Sequence, residues 1–198
     1  MTGAGQPGRS AASVVAIVGG GVIGAGWAAR YLHRGADVRV FDPDPEAERK
    51  IGDVLANASA AFEMLFGVAP EAGTLSFHAT LAEAVAGAEI VHESVPERLD
   101  LKQRVHADIA AAAPADAILC TSTSGLLPTK IQEGLERPDN LIVAHPFNPV
   151  YLLPLVELVA GQGTAEGVMD RAAAILDSLV MKPLKVRKEI DAFIADRL

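Results

Sequence analysis

The chain has 198 residues, of which 50% are hydrophobic, and its formal net charge is −8. This acidic balance disfavours nucleic acid and acidic membrane surfaces as partners, and the single cysteine, Cys120, excludes an internal disulfide. The length suits one large domain, and the composition is typical of a cytoplasmic protein.

The first predicted strand leads directly into a cluster of glycines. Residues 1–12 are rich in Gly, Ser and Ala and are predicted to form a disordered tail. The apolar run 14–18 is the first predicted strand, and a helix over 22–34 and a second strand over 37–41 follow. Between the first strand and the helix stands the pattern G-x-G-x-x-G, made of Gly19, Gly20, Gly21, Val22, Ile23 and Gly24.

A glycine pattern between a strand and a helix, with an acid after the next strand, is typical of a dinucleotide-binding turn. Gly19 permits the tight turn, Gly21 lets backbone amides approach the pyrophosphate, and Gly24 allows the helix to pack close to the strand. The positive end of the helix then faces the phosphates. The acid is Asp42, which can accept hydrogen bonds from ribose hydroxyls and repels a 2′-phosphate. The expected cofactor is therefore NAD.

Three other interpretations of this segment are possible. The glycines can form a structural turn with no nucleotide above it. Residues 10–29 carry no charge, as in a membrane helix or a signal peptide. Three consecutive glycines near the centre of that stretch, and the acid-tipped strand after it, argue against both membrane-related alternatives.

Strands and helices are predicted to alternate through the rest of the chain. The further predicted strands cover 75–79, 89–93, 117–121, 140–145, 155–159 and 183–187. The further predicted helices cover 45–66, 81–86, 98–113, 128–135 and 165–180. The alternation predicts an α/β fold of the Rossmann-like, doubly wound type, with a mostly parallel sheet and helices on both faces. This domain is predicted to span 13–188, and 189–198 are predicted to begin a helix leading to a C-terminal helical domain that is missing here.

Polar side chains cluster after three predicted strands, at the sheet edge where open parallel sheets bind ligands. They lie in the segments 93–102, 120–125 and 145–151. Oxidation of an alcohol by NAD needs a base for the hydroxyl proton, and His145 suits this role because the pKa of histidine lies near neutrality. Glu157 lies in an apolar strand and can hold the far ring nitrogen of His145.

Plainer interpretations of these residues stay open. A histidine between apolar runs can be a hydrogen-bonded core residue, and the Thr/Ser run in 120–125 can be a polar turn. The other four histidines do not cluster with cysteine or acidic residues, so no metal site is predicted.

Taken together, the segments resemble the 3-hydroxyacyl-CoA dehydrogenase family. The resemblance runs from about residue 14 to 198 and is most specific in GGGVIGAGW, ESVPERLDLK and HPFNPVYLLPLVEL. It implies NAD-dependent oxidation of a 3-hydroxyl group, with His145 as the base, Glu157 as its orienting partner and Ser124 near the substrate oxygen. The positions that match family residues at the nicotinamide end of the cofactor are Glu97, Lys102 and Asn148.

Within the family, the resemblance implies L-carnitine as the substrate, oxidised at its 3-hydroxyl to 3-dehydrocarnitine. Fatty-acid members carry Asn-Thr-Ser where this chain has 122–124, and an asparagine where it has Asp196, whose charge suits a cationic substrate. Phe147 and Tyr151 are candidate contacts for the trimethylammonium group, although both can simply pack in the core. A 3-hydroxyacyl-CoA, L-gulonate and a non-catalytic, crystallin-like NAD-binding role are the alternatives. The resemblance also implies a homodimer formed through the missing C-terminal domain.

Overall fold

The computed structural model describes residues 9–66 and 72–193, which form one sheet with helices on both faces. The strands are β1 (Val14–Val18), β2 (Asp37–Phe41), β3 (Leu75–Phe77), β4 (Ile90–Glu93), β5 (Ile118–Thr121), β6 (Leu141–Pro146), β7 (Leu155–Ala160) and β8 (Lys182–Val186). The helices are α1 (Val22–His33), α2 (Ala47–Phe66), α3 (Leu81–Val85), α4 (Leu99–Ala112), α5 (Pro128–Gln132) and α6 (Val168–Ser178).

The strand order is β3-β2-β1-β4-β5-β6-β7-β8, which confirms the predicted Rossmann-like fold class. Strands β1 to β6 pair in parallel, β7 runs antiparallel to β6, and β8 is parallel to β7. Each element predicted within 14–187 is present, with ends that match the prediction or differ by up to three residues. The prediction is three residues off at the end of α5, which ends at Gln132, because Gly134 adopts a φ of +83° that does not continue a right-handed helix. It is also three residues off at the start of α6, where Gly167 has a φ of +84°.

Both faces of the sheet are buried, as the apolar strand sequences require. In β1, Val15 and Ile17 pack into the hydrophobic cluster that includes α1 and α6. Ala16 and Val18 point to the other face and pack into the cluster beneath α3, α4 and α5. This two-sided burial fixes the register of β1 in the centre of the sheet, and with it the position of the glycine turn that follows.

Residues 9–12 are not a free tail, so that part of the predicted disordered segment is wrong. The Arg9 guanidinium donates to the Gly35 carbonyl at 2.9 Å, and the Ala11 N–H donates to Ser178 Oγ at 2.8 Å. Ala12 is 0% exposed and belongs to the core. Short polar and alanine residues suggested a loose tail, but hydrogen bonds to the ends of α1 and α6 hold them in place. The first eight residues of the predicted tail lie outside the described residues.

The chain near the other terminus is described up to Phe193. Residues 191–193 form a turn in which Ala192 and Phe193 have φ values of +60° and +42°. The described part of the segment predicted to begin a helix, 189–193, is therefore not helical, because these positive φ values do not fit a right-handed helix. The rest of that segment, 194–198, lies outside the described residues.

Substitution of two glycines of the turn should lower stability to very different extents. A Cβ at Gly24 would come 1.9 Å from the carbonyl oxygen of Gly19, whereas a Cβ at Gly21 would meet nothing within 4 Å. We expect Gly24→Ala to lower the free energy of unfolding by about 3 kcal/mol, and Gly21→Ala by less than about 1 kcal/mol. Urea denaturation of both variants measures this, and equal losses would contradict the described packing.

Candidate active site

The glycine turn and Asp42 are held together by hydrogen bonds. The Gly20 N–H donates to Asp42 Oδ2 at 2.6 Å, and the Asp44 N–H donates to Oδ1 at 2.7 Å. A carboxylate has about four acceptor sites, so Asp42 retains capacity for ribose hydroxyls. Gly21 is exposed at the start of α1, and the open space there leaves the backbone accessible to a phosphate. Both features fit a dinucleotide.

His145 and Glu157 are direct cross-strand partners in the antiparallel pair β6–β7. Such partners place their side chains on the same face of a sheet, and Nδ1 of His145 lies 2.9 Å from Glu157 Oε2. His145 is 8% exposed and Glu157 is 1% exposed. The rings of Phe147 and Phe193 lie 5.1 and 5.7 Å from the imidazole, between centroids. Two aromatic rings and a carboxylate thus fix the imidazole in one orientation.

A cleft of about 250 Å³ opens beside His145 at the carboxyl ends of the parallel strands. Its lining residues are Ile23, Ser94, Val95, Glu97, Ser122, Ser124, His145 and Pro146. Four of these were predicted as site residues from the sequence, namely Ile23, Glu97, Ser124 and His145. The cleft lies between the start of α1 and the ends of β4, β5 and β6, which is where doubly wound sheets bind ligands.

Glu97 organises the loop that carries Ser124. Its carboxylate accepts hydrogen bonds from the Thr123 hydroxyl, from the Ser124 N–H at 3.2 Å and from the Gly125 N–H at 3.3 Å. The Glu97 side chain is about half exposed, with its carboxylate at the cleft. Ser124 is exposed there, so its hydroxyl is available to a ligand.

Lys102, predicted to lie at the nicotinamide end of the cofactor, is almost fully buried, and its contact with the cofactor stays a prediction. Its side chain is 1% exposed, with Nζ 2.7 Å from Glu93 Oε1 and 3.5 Å from Glu97 Oε2. The ammonium group is therefore buried behind Glu97 and acts on the cleft through that carboxylate. The sequence prediction could not detect this burial, because Lys102 lies in a helix whose other long polar side chains are mostly exposed.

Glu93 is the centre of a buried polar network. It lies in the polar segment 93–102 but was not among the predicted site residues. Besides Lys102, it accepts hydrogen bonds from the Thr121 hydroxyl at 2.6 Å and the Val95 N–H at 2.7 Å, and His106 Nε2 lies 3.1 Å away. Burial alone would raise the pKa of Glu93, but His106 and Lys102 outweigh it and lower the pKa to about 2. One sequence pattern could have indicated this network. Lys102 and His106 are four residues apart and so lie on one face of α4, and Glu93 is an acidic residue at the end of the preceding strand.

Two further predicted site residues, Asn148 and Tyr151, do not line the cleft. Asn148 is exposed just after β6, close in sequence to His145. Tyr151 packs edge-on against Phe62 of α2, with ring centroids 6.5 Å apart, and belongs to a hydrophobic cluster between α1 and α2. We therefore leave Tyr151 out of the substrate site. Asp196 lies outside the described residues.

Neither a metal centre nor a membrane span is evident within 9–66 and 72–193. No group of three or more His, Cys, Asp or Glu side chains in these ranges is placed to hold a metal ion. None of the helices there combines the length and the apolar character that crossing a membrane requires. Cys120 is buried, and burial raises the pKa of its thiol, which makes it a poor nucleophile.

Beneath the cleft, three buried rings contact one another. Trp27 stacks on His92 with centroids 4.1 Å apart, and the Tyr31 hydroxyl lies 2.9 Å from His92 Nε2. Burial lowers the pKa of His92 to about 3, so its imidazole stays neutral in the folded state at neutral pH.

This buried histidine predicts a pH-dependent stability. Unfolded His92 takes up a proton as the pH falls below about 6.5, while the folded ring resists protonation until about pH 3. The unfolded state thus binds more protons in that window. The free energy of unfolding therefore decreases as the pH is lowered, by about 1.4 kcal/mol per pH unit for this group. His33, whose pKa is lowered by burial and by Arg34 and Arg30, adds a fall of the same sign.

Urea denaturation between pH 6.5 and 5 measures the effect. We expect His92→Gln to reduce the slope of the free energy of unfolding against pH by about 1 kcal/mol per unit. His78→Gln is the matched control, because His78 lies in the half-exposed segment after β3. A slope that His92→Gln leaves unchanged would contradict the buried, neutral imidazole.

Comparison with known proteins identifies the family. The model of the 3-hydroxyacyl-CoA dehydrogenase, NAD binding domain, matches residues 14–190. The chain belongs to this family. Its glycine turn, Asp42 and the cleft beside His145 are therefore features of an NAD-binding domain, and NAD is its cofactor.

Two relatives of this NAD-binding domain are carnitine enzymes by name. The chain is 58% identical over 186 residues to an L-carnitine dehydrogenase/betainyl-CoA thioesterase of Ruegeria pomeroyi. The matched region covers 93% of the chain and 38% of that protein. It is 55% identical over 185 residues to an L-carnitine dehydrogenase of Mesorhizobium japonicum, covering 92% of the chain and 51% of that protein. The chain thus spans about half or less of the length of these relatives.

Solved structures show the same architecture. A 5-formyl-3-hydroxy-2-methylpyridine 4-carboxylic acid 5-dehydrogenase, described as an NAD⁺-dependent dismutase, matches with a TM-score of 0.87 and 31% identity over 93% of the chain and 60% of its own. The 3-hydroxybutyryl-CoA dehydrogenase of Escherichia coli matches with a TM-score of 0.79 and 27% identity over 88% of the chain and 38% of its own.

Proposed function

We propose that this domain supplies the cofactor site and the catalytic base of an enzyme that oxidises the 3-hydroxyl of L-carnitine with NAD. The observation that carries the proposal is the hydrogen bond between His145 and Glu157 at the edge of the cleft. The L-carnitine dehydrogenases among the relatives support the choice of substrate.

The proton chemistry follows from the hydrogen bond. An ionised carboxylate can only accept, so Nδ1 of His145 carries the proton that Glu157 accepts, and Nε2 keeps a lone pair. Nε2 takes the hydroxyl proton of the substrate as the carbonyl bond forms, and Glu157 stabilises the resulting imidazolium. The hydride leaves the same carbon with its electron pair, and bound NAD supplies the acceptor. The Ser124 hydroxyl donates to the substrate oxygen.

The charge of the cleft suits a small cationic substrate. Among the residues that line it, Glu97 carries a carboxylate and none is lysine or arginine. A trimethylammonium group is attracted to carboxylates and to aromatic faces, and Phe147 offers such a face beside His145. A 3-hydroxyacyl-CoA would need basic side chains for its phosphates, which this lining does not provide.

Substrate choice is tested by following NADH formation with L-carnitine, 3-hydroxybutyryl-CoA and L-gulonate in parallel. Two proteins are assayed: the chain itself, and a fused form in which residues 1–190 are followed by the part of the M. japonicum relative beyond the matched region. We expect the fused form to prefer L-carnitine by about 100-fold or more in kcat/KM, and the chain itself to turn over slowly. Turnover of another substrate, without turnover of carnitine, would refute the proposal.

The proposed contact of Phe147 with the substrate cation is tested by Phe147→Ala in the fused form. We expect the KM for carnitine to rise about 5- to 10-fold, the size of a partly desolvated cation–π interaction, while the KM for NAD is unchanged. Phe77→Ala, on edge strand β3, is the control. An unchanged KM for carnitine would remove Phe147 from the substrate site.

A non-catalytic NAD-binding role is the second candidate, and it predicts NADH binding without turnover of any of the three substrates. The homodimer, the cytoplasmic location and the predicted domain boundaries stay predictions. So do the contacts proposed for Asn148 and Asp42 with the cofactor.

A further inference from the structure

Two serine hydroxyls in the cleft are joined to a buried tryptophan by hydrogen bonds. The indole Nε1–H of Trp27 donates to Ser122 Oγ at 3.2 Å, and Ser122 Oγ lies 3.1 Å from Ser94 Oγ. Trp27 is 0% exposed, whereas both serines line the cleft together with His145. The hydrogen bonds therefore lead from the interior of the fold to the cleft.

The protons of this chain of hydrogen bonds can be counted. An indole N–H can only donate, so Ser122 is the acceptor in the first bond. The two hydroxyls carry one proton each and share one hydrogen bond, which leaves one proton for a third group. Within the described residues, neither hydroxyl has another hydrogen-bond partner. Accepting from Trp27 makes Ser122 the better donor to Ser94, so the proton left over is that of Ser94.

The indole cannot easily turn away from Ser122. It is stacked on His92, which the Tyr31 hydroxyl contacts in turn, and all three rings are fully buried. A close-packed interior leaves such rings little freedom to change rotamer. The direction of the Trp27 donor, and hence of the Ser94 hydroxyl, is set by the packing of the fold.

Ser94 lies where the strand order reverses, because β1 neighbours both β2 and β4 and Ser94 directly follows β4. Its N–H donates to the Val18 carbonyl at 2.8 Å, and a Cβ at Gly19 would come 2.8 Å from its carbonyl group. Dinucleotides cross doubly wound sheets at this point. Asp42 lies on the β2 side of the crossing, which is the adenosine side, whereas Ser94 and Ser122 lie on the opposite, nicotinamide side.

We propose that Ser94, directed by Ser122 and Trp27, donates a hydrogen bond to an acceptor oxygen of the nicotinamide riboside end of NAD. Ser94 is then a cofactor-binding residue, and Ser122 and Trp27 are positioning residues that act through it. The inference rests on NAD binding by this domain, which the proposed function also requires, and not on the identity of the substrate.

Calorimetric titration of the chain with NADH and with ADP, which lacks the nicotinamide riboside, tests the proposal. Loss of one neutral hydrogen bond corresponds to about a 3- to 10-fold weaker affinity. We expect Ser94→Ala and Ser122→Ala to weaken NADH binding by this factor and to leave ADP binding unchanged. Ser59→Ala, on the exposed side of α2, is the matched control. Normal ADP binding by the variants also shows that they are folded.

A double-mutant cycle separates positioning from packing. Trp27→Phe keeps an aromatic ring on His92 but removes the donor, so it should weaken NADH binding in the wild-type background and have no further effect in Ser94→Ala. Losses that simply add would give Trp27 a packing role only and overturn the proposal. So would unchanged NADH binding by Ser94→Ala, or equal weakening of NADH and ADP. If the wild-type chain does not bind NADH, both this inference and the proposed function fail.

Discussion

Replacing His145 by glutamine is expected to lower kcat for carnitine oxidation by about 1000-fold or more while NADH affinity stays unchanged. The amide cannot take up the hydroxyl proton, and general-base catalysis contributes on that scale. Its N–H group can still donate to Glu157, so the buried carboxylate keeps a partner and the fold is retained. Turnover is measured on the fused form, and NADH affinity on the chain by calorimetry.

Two companion variants make this result interpretable. Glu157→Gln should lower kcat with little effect on the KM for NAD, because the neutral amide stabilises the imidazolium less well. His78→Gln, which alters a histidine away from the cleft, should leave turnover unchanged. If His145→Gln retained more than about a tenth of wild-type kcat, a factor far smaller than general-base catalysis supplies, His145 would not be the base.

Replacing Lys102 by methionine is expected to lower the free energy of unfolding by about 3–5 kcal/mol, since it leaves a buried carboxylate without its cation. Lys102 contacts Glu93 at 2.7 Å, and both side chains are almost fully buried. The ammonium group also contacts Glu97, which holds the Ser124 loop, so NADH affinity should fall in parallel. Urea denaturation and NADH titration measure the two effects.

A double-mutant cycle shows whether burial causes the loss. Adding Glu93→Gln to Lys102→Met removes the unpaired charge and should recover part of the lost stability. Lys130→Met, at the exposed ion pair with Glu133, is the control and should not change stability measurably. If Lys102→Met proved as harmless as Lys130→Met, the buried network around Glu93 would not be part of the folded protein in solution.

The fold could be predicted from the sequence because its signals are local. The β-branched run before Gly19, the helix after it and the repeated strand–helix alternation each depend on residues a few positions apart. The Gly24 position, where a Cβ would overlap Gly19, explains why the motif needs glycine there. These local requirements were sufficient for the fold class and for the approximate bounds of the elements.

The site could be predicted only in part, because burial and partner choice depend on distant residues. The Lys102 side chain looks like that of any helical lysine until Glu93 and Glu97 are brought beside it. Tyr151 follows His145 closely in sequence, yet it packs on α2. The contact of Trp27 with Ser122 joins residues 95 positions apart, and no periodicity indicates it.

Transfer of deuterium from L-carnitine labelled at carbon 3 to NAD reports on the proposed hydride transfer itself. We expect the fused form, given NAD and the labelled substrate, to produce NADH that carries the deuterium, which mass spectrometry detects. The His145→Gln variant should produce almost none in the same time. Formation of unlabelled NADH from labelled carnitine, or no NADH while another 3-hydroxy acid reacts, would contradict the account.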